Sequence, residues 1–184
     1  MTKYILHGGY TRDKNELNNS FFEEITKGLE GEIKILLVYF ASEKTEYEQK
    51  RKKEEENFLS NSENKNLVFE IANENDLIDQ IKKSDIIYIR GGITFKLLDV
   101  LKKYPTFSDV IKDKVIVGSS AGAYVLSKYF YHRQEPVGVF KGLGILPISI
   151  HCHYKGDATI VGELESKGLE VILLKDYEHR VINL

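Results

Sequence analysis

The stretch Val115-Ile-Val-Gly118-Ser119-Ser120-Ala121-Gly122-Ala123-Tyr-Val-Leu126 joins a short apolar run to an apolar continuation through a Gly-x-Ser-x-Gly turn centred on Ser120. Strand, sharp turn and helix in that order form the local pattern of a nucleophile elbow. The two glycines permit the tight turn and a close approach of strand and helix, and Ala121 adds no bulk beside the hydroxyl. Ser120 then stands at a helix N-terminus, where unpaired N–H groups favour a developing oxyanion. Ser119 is out of register for that role. The same residues would also suit a plain packing turn or a phosphate cradle, although no P-loop or Gly-x-Gly-x-x-Gly pattern lies nearby to support phosphate.

A serine nucleophile needs a base, and the candidates are His7, His132, His151, His153 and His179. His151-Cys152-His153 follows the apolar run Ile145 to Ile150; on an extended chain the two histidines share a side and Cys152 faces the other way. A closed metal site needs about four ligands, and no companion cluster accompanies this trio, so neither metal nor other cofactor is expected. A second glycine turn, Arg90-Gly91-Gly92-Ile93-Thr94-Phe95, again closes an apolar run and opens a helical pattern. It offers either a backbone N–H from Gly92 to an oxyanion or a simple strand-to-helix turn.

These turns must be held by something, and the rest of the chain supplies an alternation of strand and helix. Apolar runs of strand length recur at Tyr4–His7, Ile33–Phe40, Leu67–Ile71, Ile86–Ile89, Val115–Val117, Ile145–Ile150 and Leu169–Leu174, with Val181-Ile182 as a short final strand. Most are continuous, as strands covered on both faces should be. Leu17, Phe21, Phe22, Ile25 and Leu29 have helical spacing, as do Leu77, Ile78 and Ile81, and Phe95, Leu97, Leu98 and Leu101. The pattern predicts an α/β fold: one doubly wound, mostly parallel sheet with helices on both faces and ligand-binding turns at the strands' carboxyl ends. The charged stretch Glu43 to Glu56 reads as a solvated helix face with Glu46/Lys50 and Glu48/Lys52 pairs.

Composition sets the outer limits. The chain has 184 residues, 26 Lys+Arg against 28 Asp+Glu and a single cysteine, and residues 1–184 are expected to form one α/β domain. A near-neutral charge lacks the basic footprint of a nucleic-acid binder. No apolar run is long enough for a membrane helix or a signal peptide, so the expected compartment is a reducing cytoplasm. Nothing in the sequence specifies an oligomeric state.

Three motifs taken in order, Gly91-Gly92-Ile93-Thr94-Phe95, Gly118-Ser-Ser-Ala-Gly-Ala123 and Gly142-Leu-Gly-Ile…His153-Tyr154, resemble the peptidase E (aspartyl dipeptidase) and cyanophycinase family of serine peptidases. The resemblance covers nearly the whole chain and implies a fold related to class I glutamine amidotransferases. It implies Ser120 as nucleophile, His153 as base, and Gly92 and Ala121 as oxyanion N–H donors. It places the acid after the last long strand, where Asp176 matches best, Glu178 is adjacent and Glu135 is a more distant alternative. Ile93 stands where the family usually has Asn or Asp, Cys152 where it has proline, and the segment after His153 is short for the family. The implied substrate is a short peptide, with selectivity for N-terminal Asp as an inherited possibility and Arg90, Arg133, Lys155 and Arg180 as candidate carboxylate partners. A catalytically silent binding protein that keeps fold and elbow is the alternative. An amidotransferase-like reading is weaker, because that chemistry generally uses a cysteine at the elbow.

Overall fold

The computed structural model describes residues 1–63 and 65–184. The strands divide into two sheets rather than the single one expected. The larger is built from β1 (Lys3–His7), β2 (Ile33–Val38), β3 (Leu67–Ile71), β4 (Ile86–Ile89), β5 (Val115–Ser119) and β10 (His179–Asn183), in the order β10-β1-β5-β4-β2-β3. All neighbours are parallel except β1 and β10. The smaller sheet, β7-β6-β8-β9, joins β6 (Ser127–His132), β7 (Gly138–Lys141), β8 (Leu146–Cys152) and β9 (Glu170–Leu174), with only the β6/β7 pair antiparallel.

Burial explains the continuous apolar runs. β4 and β5 are buried at every residue and β2 at all but Lys34, because each face of the large sheet is covered. On one face α1 (Glu16–Thr26) and α2 (Tyr47–Asn61) pack Phe21, Phe22, Ile25 and Phe58 against Ile35, Leu37, Tyr88 and Val117. On the other, α3 (Leu77–Lys83), α4 (Thr94–Leu101), α5 (Phe107–Val110) and α6 (Ala121–Leu126) share a core with the small sheet, whose Phe130, Leu146, Ile148 and Ile150 belong to it. α7 (Ala158–Glu165) covers the far side of the small sheet through Ile160 and Leu164.

The helix leaving β1 therefore lies on one face and the helix leaving β5 on the other. β1 and β5 stay paired to their last residues, and the chain leaving them diverges to opposite faces, which opens a crevice there. The charged stretch is α2, as expected, but one of its acids is not solvated: Glu54 is fully buried.

Candidate active site

The elbow glycines are fixed by backbone, not by side chains. A Cβ on Gly118 would lie 2.7–2.8 Å from backbone atoms of Gly122 and Ala123, and one on Gly122 would lie 2.1 Å from the Ile89 carbonyl oxygen. β5, the start of α6 and β4 thus meet at van der Waals limits. Ser120, squeezed between them, takes φ 50° and ψ −108°, a left-handed conformation that non-glycine residues seldom adopt. Its N–H donates to the His7 carbonyl at 2.9 Å. The Gly91-Gly92 turn passes beside it; a Cβ on Gly91 would stand 3.0 Å from Ser120 Cβ. The N–H groups of Gly92 and Ala121 have no acceptor among the described residues.

Ser120 Oγ lies 3.0 Å from His153 Nε2, and His153 Nδ1 lies 2.6 Å from Asp176 Oδ1. A carboxylate can only accept at neutral pH, so Nδ1 carries the proton and Nε2 presents a lone pair to the serine hydroxyl. His153 comes from the end of β8 and Asp176 from the turn between β9 and β10, so both sheets contribute. Of the other carboxylates considered, Glu178 accepts from the Lys175 N–H at 2.9 Å and closes its own turn. Glu135 is exposed on the cleft rim, and neither contacts His153.

His151 and His153 both line the smaller pocket beside Ser120, although the chain is not extended through both. β8 ends at Cys152 and His153 turns into the left-handed region with φ 59°, so the extended-chain alternation stops one residue too early. His151 is buried with its Nδ1 3.1 Å from the Tyr131 carbonyl, and burial lowers its pKa to about 4. Cys152 is fully buried and its thiol pKa is raised by burial.

Two cavities meet at Ser120 and His153. A cleft of about 700 Å³ is walled by Arg12, Ile93, Phe95 and Glu135 among others, and a smaller pocket of about 290 Å³ by Thr94, Tyr124, Arg133 and Lys155. Arg90 touches the cleft but is engaged behind it: its Nη1 is 3.0 Å from Glu54 Oε1, with Tyr39 and Tyr88 buried nearby. Burial raises the pKa of Glu54, and Arg90 opposes that rise. Arg180 lines a different cavity beside β9 and β10. Arg133 and Lys155 make no ion pair among the described residues.

One wall of the site escaped the sequence reading. The Gly8-Gly9-Tyr10 turn after β1 backs His153, with the Tyr10 ring edge-on at 5.2 Å. A Gly-Gly pair closing an apolar run is the same signal that drew attention to Gly91-Gly92, and it could have identified this turn.

Comparison with known proteins bears on the fold and the family. A protein assigned as a peptidase E from Listeria monocytogenes EGD-e superposes with a TM-score of 0.68 at 20% identity, over 99% of this chain and 97% of its own. A peptidase from an acI-B1 actinobacterium gives 0.71 at 16% identity, over 100% and 84%. At such identities the likeness speaks for the fold. Among curated proteins, none matches the sequence significantly. The sequence model of peptidase family S51, however, matches residues 4–173, and the chain therefore belongs to that family of serine peptidases.

Proposed function

We propose that the protein hydrolyses short peptides through an acyl-enzyme on Ser120, with His153 as general base, Asp176 as its orienting acid, and Gly92 and Ala121 N–H groups as oxyanion donors. The observation that carries this reading is the unbroken line of hydrogen bonds from Ser120 Oγ through His153 to Asp176. In the first step Ser120 Oγ attacks the scissile carbonyl while its proton passes to His153 Nε2. The C–N bond then breaks, the leaving amine takes that proton, and water resolves the ester by the same route. Negative charge developing on the carbonyl oxygen is received by the Gly92 and Ala121 N–H groups, which have no acceptor among the described residues.

For selectivity, the four candidate cations reduce to two. Arg90 is neutralised by Glu54 and Arg180 lies elsewhere, whereas Arg133 and Lys155 border the small pocket with their charges unspent. A carboxylate on the substrate, such as that of an N-terminal Asp, would be received there. The test is a panel of dipeptides and aminoacyl amides with and without N-terminal Asp, assayed on wild type, Asp176→Asn and the Arg133→Gln/Lys155→Gln pair. Asp176→Asn should lower kcat by on the order of 10⁴-fold through the wrong imidazole tautomer. The double variant should raise KM selectively for acidic substrates; an equal effect on neutral ones would contradict the assignment of the pocket.

A further inference from the structure

His7 ends β1, is fully buried, and has no part in the chemistry just described. Its surroundings nonetheless dictate one protonation state. The Gly9 N–H can only donate, and it points at His7 Nδ1 at 3.0 Å, so that nitrogen is bare. The proton sits on Nε2, 3.0 Å from Asn18 Oδ1. The orientation of Asn18 is fixed in turn, because its Nδ2 donates to the Tyr10 carbonyl at 2.9 Å and the Asp13 carbonyl at 2.8 Å. The Gly9 N–H requires Nδ1 to accept, and the two carbonyls held by Asn18 Nδ2 turn Oδ1 towards Nε2; the Tyr177 backbone adds a further hydrogen bond to the ring. Burial lowers the pKa of His7 to about 4, which keeps the imidazole neutral as this network requires.

The segment gripped in this way touches Ser120, His153 and the residue that follows Asp176. Gly9 has φ 128°, and a Cβ there would fall 2.0 Å from His153 Cε1, so its backbone is pressed flat against the imidazole. The Gly9 carbonyl accepts from the N–H of Tyr177, the residue after Asp176, at 3.3 Å. The His7 carbonyl itself holds the Ser120 N–H.

We propose that His7 and Asn18 are positioning residues, a neutral clamp that holds the Gly9-Tyr10 turn as the rear wall of His153 and so keeps its ring aimed at Ser120. The inference rests on His153 being the base. Removing the clamp leaves nucleophile, base and acid in place but frees the wall, and misplacement on this scale costs rate more than binding, about 10- to 100-fold.

The experiment compares His7→Leu, His7→Asn and Asn18→Leu with wild type and Ser120→Ala on a dipeptide that wild type cleaves, and records ¹⁵N NMR of the imidazoles. His7→Leu and Asn18→Leu should lose about 10- to 100-fold in kcat with KM changed less than about threefold. His7→Asn, whose Oδ1 can replace Nδ1 as acceptor for the Gly9 N–H, should recover most of that loss. A kcat for His7→Leu within about twofold of wild type, with Ser120→Ala inactive, overturns the clamp and leaves the nucleophile assignment standing. Full activity in Ser120→Ala removes the nucleophile assignment instead; the clamp is then judged by whether His153 resonances move in His7→Leu. Should the variants fail to fold, wild-type NMR decides: a His7 proton on Nε2 supports the clamp, and a proton on Nδ1 overturns it.

Discussion

Cys152 and His153 are neighbours in sequence with opposite fates. The strand's last residue turns its thiol into the core, where burial raises the pKa and withholds the thiolate; the next residue leaves the strand and reaches Ser120. A thiolate is the reactive form, so iodoacetamide should leave Cys152 untouched in the folded protein and modify it only in denaturant, as mass spectrometry would show. Glu54 and Arg90 depend on each other more heavily. Glu54→Ala would leave a guanidinium buried without its counter-charge and should cost about 3–5 kcal/mol in a urea melt. Ser120 and its flanking glycines are legible in the sequence because they lie at a strand end, whereas position alone leaves five histidines open as partner and only the family resemblance singles out His153. The Glu54–Arg90 pair could not be read there, since it links a helix that looks wholly solvated to the turn just after β4. Nor could the break at residue 153, because strand alternation says nothing about where a strand stops.

At the scale of elements, apolar runs located eight of the ten strands: β1, β2, β4, β5 and β8 because they are buried almost throughout, the more exposed β3 and β9 because apolar residues still dominate them, and β10 through its Val181-Ile182 pair. β6 and β7 were missed for a physical reason. β6 starts directly after α6, and its Ser-Lys-Tyr-Phe-Tyr-His sequence mixes aromatic residues with polar ones on a strand whose exposure is uneven. β7 is a short, half-buried edge. The start of α4 shows how one residue of the Gly91-Gly92 turn acts locally. Ile93 occupies its N-cap without any side-chain hydrogen bond and is largely exposed to the cleft. Asn at that position can accept from the first-turn amides, so Ile93→Asn should raise stability by about 1 kcal/mol, seen as a higher denaturation midpoint at unchanged m-value.

Across the whole molecule, the candidate site depends on two sheets sharing one core: the large sheet carries Ser120 and the small one delivers His153, with Asp176 in the turn that links them. The chain spans nearly the full length of the Listeria protein, so its compactness is shared with at least one structural relative. Global stability should respond to the buried histidines. The pKa of His7 is lowered from 6.5 to about 4, and that of His151 likewise, so the unfolded chain binds more protons between those values. Their stabilising effect is complete above pH 6.5 and is lost as pH falls towards 4, with His7 accounting for roughly 3 kcal/mol. Denaturant midpoints should fall between pH 7 and pH 4.5, and fall less in His7→Asn. The central claim, that Ser120 is a nucleophile activated by His153, is tested most directly by reacting the folded protein with a fluorophosphonate and locating the adduct by peptide mass spectrometry. The expected result is one adduct, on Ser120, absent in Ser120→Ala and formed at least about 100-fold more slowly in His153→Ala. No adduct on Ser120, or equal labelling rates with and without His153, would contradict it.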